Sequence, residues 1–266
     1  ISYSAAELLH PDAEVIINPS PSGMYPNNLD EPLLKLEKFT RLEGVVDAVD
    51  NPLRSNLVLG AKALGVPAEG GLYMLTAQAV YACSLFLDKY IDKSEIERIY
   101  KILAGKKNNI VLTGMPSCGK TTIGTRLSEL TGRKLVDTDE ITVKNIGMSI
   151  ADYAAANGEL EFRNRETEAV MEAAKESGLI IPTGGGAILR SENVRALKKN
   201  GRVIFIDRPL EKLMPTDDRP FSSDAEALRK RFEERYDIYC STCDVRVDGS
   251  GNIEEVAAAV LAAFED

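Results

Sequence analysis

Histidine is almost missing from this chain, whose 266 residues include a single one, His10. A Ser-His-Asp triad, an H-E-x-x-H zinc site or a multi-histidine centre would have to run through that one ring, so most chemistry of those kinds is excluded. Cysteine is scarce as well. The four present, Cys83, Cys118, Cys240 and Cys243, are too few and too unevenly spaced for a secreted disulfide scaffold, which implies a reducing, cytoplasmic setting. Cys240 and Cys243 make a lone C-x-x-C with no second pair and no neighbouring histidine, which argues for packing thiols over a closed zinc site. Positive charge is in deficit, with 32 Lys and Arg against 41 Asp and Glu and a net charge of −9. That sign opposes binding to a nucleic-acid backbone or an anionic membrane, so any anionic ligand must meet locally placed cations. No apolar run is long enough and clean enough to span a bilayer: the most apolar stretch, Leu72 to Leu87, is broken by Thr76, Gln78 and Ser84 and reads as a core helix. Internal repeats and low-complexity segments are absent, and no stretch reads as a signal peptide. The first residue is Ile1, as expected of a processed product or a piece of something longer.

What is present is the composition of a soluble globular protein, 44% hydrophobic and 27% charged, long enough for two domains. Helix and strand signals alternate, the pattern of an α/β protein with a mostly parallel sheet. A capping-box pattern at Ser94 and Glu97 opens a helix that is expected to stop at Gly105, and the polar KKNN after it marks a seam dividing residues 1–105 from 106–266. Beyond the seam, Ile110 to Thr113, Lys134 to Val136, Leu179 to Thr183, Arg202 to Ile206 and Asp244 to Val247 read as five short strands. Helices are expected over Thr121 to Leu130, from Ser149, over Glu159 to Lys175, Asn193 to Lys199, Ala225 to Tyr239 and Ile253 to Phe264. Before the seam the signals are sparser: strands at Glu14 to Ile17 and Gly44 to Val49, helices at Asn56 to Leu64 and Leu75 to Tyr90.

Residues 114–121 read GMPSCGKT, the G-x-x-x-x-G-K-[ST] pattern between an expected strand and an expected helix. Backbone N–H groups around Gly114, Gly119 and Lys120 can surround nucleotide phosphates at a helix N-terminus, with Lys120 as a point charge and the Thr121 hydroxyl for Mg2+. Thr122 belongs to the same first turn. Cys118 lies within the loop, near helix-terminal N–H groups that favour a thiolate, but a small filler is the preferred reading of the position. Phosphoryl transfer to a small molecule also needs a carboxylate for the metal, a second near the acceptor hydroxyl, and cations that grip an acidic acceptor. LVDTDE ends the second strand with Asp137 and Asp139 at period two, so both carboxylates can lie at one sheet edge beside the loop, whereas paired acids also serve as turns and caps.

Taken together, GMPSCGKT, DTDE, GELEFRNRE, PTGGGA, DDRPF and ERYDIY resemble the shikimate kinase family from about Asn109 to Phe264. That resemblance implies a P-loop kinase three-layer α/β/α sandwich with a five-stranded parallel sheet, and ATP-dependent phosphorylation of the 3-hydroxyl of shikimate. It further implies that Lys120 and Thr121 serve the phosphates and Mg2+, that Asp137 supports the metal through water, and that Asp139 holds the acceptor hydroxyls and assists deprotonation. Arg163 and Arg235 would bind the shikimate carboxylate. Gly184, Gly185 and Gly186 would let the backbone approach the ring, and Arg219 in a lid would reach the transferring phosphate. A planar guanidinium suits a carboxylate, and a lid arginine acts once closure excludes water. Each has a plainer reading too: Arg163 paired with Glu159, Arg235 on a charged face with Arg231 and Glu234, the glycines as a strand-to-helix turn. Where many relatives carry basic residues for the adenine, this chain reads EKLMPTDD and DGSGN.

Ahead of the seam, IINPSPSGMYPN, VVDAVDNPLRS and GGLYMLTAQA resemble the C-terminal part of shikimate dehydrogenase over about residues 13–88, a partial Rossmann-like α/β segment. Gln78 matches that family's substrate glutamine, but Asp50 stands where a tyrosine is usual, and no G-x-G-x-x-G turn opens a helix. Dehydrogenase activity is therefore not expected, and Gln78 reads as a helix-surface or capping residue. The expected partner is a small-molecule substrate, with no nucleic acid and no membrane, in a monomer or weak homodimer. The alternatives are a gluconate- or nucleotide-type small-molecule kinase and a nucleotide-binding regulatory module that transfers nothing.

Overall fold

The structure is a computed structural model and describes residues 3–26, 28, 34–213 and 225–265. The chain divides into two compact units, residues 1–107 and 108–266.

The first unit runs α1 (Tyr3–Leu9), β1 (Val15–Asn18), β2 (Gly44–Asp47), α2 (Asn56–Ala63), β3 (Ala68–Glu69), α3 (Gly71–Leu87) and α4 (Ser94–Lys107). Its strands form a three-stranded parallel sheet in the order β1-β2-β3. Strand alternation sends Ile16 and Val45 into a cluster with Leu36, Phe39, Leu57 and Ala61, while Val15, Ile17 and Val46 on the other face are exposed. Two expectations are corrected here. Helix α4 passes through Gly105 to Lys107, and its first turn is capped by Asp92, whose Oδ1 accepts from the Ser94 N–H at 2.9 Å. Nor is α3 a core helix: it buries Leu72, Thr76 and Val80 at helical spacing, but Leu85, Phe86 and Leu87 at its end are exposed. Gln78 is exposed as well.

The second unit comprises β4 (Asn109–Thr113), α5 (Lys120–Thr131), α6 (Thr138–Ile146), α7 (Ile150–Asn157), α8 (Glu159–Lys175), β5 (Ile180–Pro182), α9 (Ser191–Asn200), β6 (Gly201–Asp207), α10 (Ala225–Thr242), β7 (Val245–Asp248) and α11 (Ile253–Glu265). Its parallel sheet has the order β5-β4-β6-β7. The expected fifth strand, Lys134 to Val136, contracts to a single parallel bridge from Leu135 to Ile180 of β5. Two backbone bonds hold it: Val136 N–H to Ile180 O at 2.9 Å and Ile180 N–H to Lys134 O at 3.0 Å. Period-two alternation makes the layers. Ile110 and Leu112 of β4 join Ile123 and Leu127 of α5 and Val256 and Val260 of α11 in one cluster. Val111 joins Val170 and Ala173 of α8 and Leu197 of α9 in another. Each such fully buried aliphatic side chain stabilises the sandwich by roughly 1.5–3 kcal/mol. Every residue of β4 is buried, so the loop leaving its C-terminal end starts from the rigid centre of the sheet, where open α/β folds present their ligand crevice. Among the described residues, no helix is long and apolar enough to cross a membrane.

Candidate active site

At the end of β4 the chain turns through Gly114 to Gly119, and Gly119, at φ +94°, directs it into α5. Lys120 opens that helix almost fully buried. Its Nζ donates to Gly114 O and Met115 O, both at 2.9 Å, and stands 3.7 Å from Cys118 Sγ. The ammonium is thus held over the mouth of the loop, where the helix N-terminus concentrates N–H groups. Cys118 is completely buried beneath it, in keeping with the filler reading. Thr122 is exposed on the first turn of α5.

The acid pair lies across a strand-to-helix junction, which corrects the period-two expectation. Asp137 is the N-cap of α6: its Oδ1 accepts from the Asp139 N–H at 2.9 Å, while its Oδ2 accepts from the Thr121 hydroxyl at 2.8 Å. One carboxylate therefore caps a helix and also meets the P-loop threonine. These hard oxygen donors suit Mg2+, which keeps waters and phosphate oxygens as its remaining ligands. Asp139 points elsewhere. Its Oδ1 would lie 2.6 Å from a Cβ placed on Gly184, and Glu166 Oε1 would lie 2.7 Å from the same point.

The glycine-rich turn after β5 is where the second half of the site gathers. The Gly184 N–H donates to Thr138 Oγ1 at 3.0 Å, anchoring the turn to α6. A Cβ on Gly186 would sit 1.9 Å from Arg163 Nη1 and 2.4 Å from its Cζ, so the guanidinium occupies the space a side chain would need. Arg163 comes from the first turns of α8 and is buried. It donates through Nη1 to Glu166 Oε2 at 2.8 Å and through Nη2 to Glu159 Oε1 at 3.1 Å, and its Cζ lies 5.0 Å from the Phe162 ring centroid. The pairing with Glu159 offered as its plainer reading is real, and it coexists with a place beside the glycine turn.

Arg235 is buried rather than spread on the charged face of α10, and donates through Nη1 to Gly185 O at 3.1 Å. One turn on, the Tyr239 hydroxyl is 2.9 Å from Gly114 O and 2.5 Å from Gly185 O. Burial raises the pKa of this phenol, so it stays protonated and available as a donor. Two residues that the motif reading gave no role are therefore structural parts of the site: Tyr239, the last letter of ERYDIY, and Glu166, the last of GELEFRNRE. Burial pushes the Glu166 carboxyl upward, opposed by Arg163, and the neighbouring Asp139 pushes it the same way as burial. Burial alone would lower the Arg163 pKa, but Glu166 and Glu159 outweigh it and the group is held more firmly protonated. Arg219 lies outside the described residues. Of the C-x-x-C pair, Cys243 packs on the hydrophobic clusters, whereas Cys240 is exposed, which corrects its reading as a packing thiol.

A family model for shikimate kinase matches residues 116–265. The shikimate kinase of Clostridium botulinum (strain Alaska E43 / Type E3) is 40% identical over 154 residues, covering 56% of this chain and 93% of its own length. That of Clostridium beijerinckii is 39% identical over 163 residues, covering 58% and 96%. Among solved structures, a shikimate kinase from Acinetobacter baumannii in complex with shikimate superposes with a TM-score of 0.58 at 28% identity, over 62% of this chain and 96% of its own. The enzyme from Aquifex aeolicus gives 0.53 at 33%, over 59% and 96%. The phosphate loop from residue 116 onward and the acid-and-arginine cluster on the glycine turn beside it lie inside the matched region, and the chain belongs to the shikimate kinase family.

Proposed function

We propose that this chain transfers the γ-phosphoryl group of ATP to the 3-hydroxyl of shikimate. The observation that carries the reading is the convergence of Asp139, Arg163 and Arg235 on the Gly184–Gly186 turn, one tyrosine away from the nucleotide loop. In this scheme Arg163 and Arg235 hold the acceptor carboxylate, and their fixed geometry orients the ring so that one hydroxyl faces the phosphate loop. Asp139 accepts the hydrogen bond of that hydroxyl and takes its proton as the oxygen bonds to phosphorus and the bond from phosphorus to the ADP oxygen breaks. Lys120 leaves Gly114 O and Met115 O for the phosphate oxygens, adding positive charge where negative charge is transferred. Mg2+, which Thr121 and Asp137 would hold, supplies charge neutralisation of the triphosphate. Gly114, Cys118, Gly119 and Thr122 complete the nucleotide loop, and Arg219 is assigned a further cation for the transferring phosphate.

The unit before residue 108 adds no dehydrogenase turnover in this reading, since its sequence has no G-x-G-x-x-G turn and Gln78 projects from an exposed helix face. A cytoplasmic setting is in keeping with four free cysteines. A coupled ADP-release assay tests the proposal: turnover should depend on shikimate and be absent with gluconate or nucleoside monophosphates. Mg-ATP binding by folded protein without shikimate-dependent turnover would reject it in favour of a regulatory module.

A further inference from the structure

Arg163 has no idle hydrogen-bonding edge on its glutamate side. Glu166, 2% exposed, takes Nη1, and Glu159, 54% exposed, takes Nη2. These two carboxylates differ in kind. Glu166 is locked in the interior between Arg163 and the glycine turn. Glu159 is the first residue of α8, follows Gly158 as N-cap, and carries its carboxylate at the solvent edge, where rotation about its own side chain frees it. A further cation stands close by: Arg231, one turn before Arg235 on the same face of α10, lies in the electrostatic field of Arg235, Glu159, Arg163 and Glu234. Glu159 is thus paired with Arg163, one of the two groups assigned above to the carboxylate of the acceptor, and interacts with Arg231, which itself neighbours the other, Arg235.

We infer that Glu159 is an internal stand-in for the acceptor carboxylate, pairing with Arg163 while the site lacks substrate and yielding its place when shikimate binds. This rests on the reading of the site given under Proposed function. The physical reason is like-charge clustering. Guanidinium groups brought together out of water are unfavourable without an anion among them, and the glutamate supplies one while the site lacks substrate. The consequence is competition: part of the attraction of the arginines for a carboxylate is already used internally, so Glu159 weakens substrate binding and sets how sharply the site discriminates acids from neutral analogues. Glu161, two residues on, makes its ion pair with Arg165 instead and carries the same charge on the same helical turn without facing Arg163.

Calorimetric titration of the full chain with shikimate and with its methyl ester, in the presence of a non-hydrolysable ATP analogue, tests this. Glu159→Gln should tighten shikimate roughly three- to tenfold, as expected for release from a partly exposed ion pair, and leave the uncharged ester unchanged. Glu161→Gln should change neither, which separates the competition from a general effect of net charge or helix dipole. Glu159→Ala should tighten shikimate in the same direction. Equal or weaker shikimate binding by both Glu159 variants overturns the inference, as does an equal gain for the ester or for Glu161→Gln. If the wild-type chain itself binds no shikimate, the reading of the site fails and the inference falls with it.

Discussion

The Tyr239 hydroxyl lies 2.5 Å from the carbonyl oxygen of Gly185 and 2.9 Å from that of Gly114, so a single buried phenol joins the turn that follows β5 to the start of the phosphate loop. Its ring stacks on Phe205 with centroids 5.0 Å apart and planes 10° from parallel. Tyr239→Phe keeps that packing and removes only the donor, which should cost about 1–3 kcal/mol for leaving buried carbonyls short of a partner. Thermal denaturation should show a loss of a few degrees, and the KM values for both substrates should rise together because the two loops lose their common tie. An unchanged melting temperature would mean that Arg235, which also donates to Gly185 O, suffices.

Gly186→Ala is expected to act on one substrate alone. The backbone there, at φ −103°, accepts any residue, so the cost is steric: the new methyl group would sit 1.9 Å from Arg163 Nη1. Arg163 must leave, and KM for shikimate should rise roughly tenfold or more while ATP binding stays as in the wild type. Steady-state kinetics with each substrate varied in turn will show whether the effect divides this way.

Asp139→Asn should lower kcat by roughly a hundredfold or more with little change in ATP affinity, because proton acceptance and acceptor positioning are lost while the phosphate contacts remain. Comparable loss of nucleotide binding would move Asp139 out of the acceptor site.

Removal of divalent metal by chelation should abolish turnover, and Mg2+ should restore it. Thr121→Ala deletes the hydroxyl that donates to Asp137 at 2.8 Å, and should raise the Mg2+ concentration needed for half-maximal rate. A Mg2+ titration indistinguishable from the wild type would remove both residues from the metal site.

Glu166 gives stability a pH signature. Burial raises its folded pKa above the 4.5 of an unperturbed glutamate, so its contribution to stability is fully present below about 4.5 and is lost as the pH rises through the folded value. Denaturant titrations of wild type and Glu166→Gln across that window should give a stability difference, wild type minus variant, that falls with rising pH. A difference that rises would show that the Arg163 ion pair outweighs burial.

Legibility in the sequence followed how local each determinant was. Helix α8 was bounded from Glu159 to Lys175 by pattern alone, because capping and periodicity are encoded in neighbouring residues. Helix α6 was missed. Its opening, Asp137 followed three residues later by Glu140, is a capping signal, and the cap is the plainer of the two readings that the paired acids allow. The strand at 134–136 was overestimated because an edge strand is defined by its neighbour, and only Leu135 pairs. In the site, residues that announce themselves by type in a motif were legible, such as Lys120 and Arg163. Glu166 was not, since a glutamate three residues after an arginine on a helix looks like a surface ion pair until burial at 2% exposure shows otherwise. Tyr239 was silent for the same reason: its partners, Gly114 and Gly185, are 125 and 54 residues away in the chain.

The close approach of Arg163 to Gly186 also bears on how this enzyme would yield to an inhibitor. A compound that mimics an acid and lodges against that guanidinium sits over a stretch of main chain that has no side chain to exchange. Escape by adding bulk at 186 would evict the same arginine to which the proposed function gives the acceptor carboxylate, so the change that removes the inhibitor's foothold would also cost turnover.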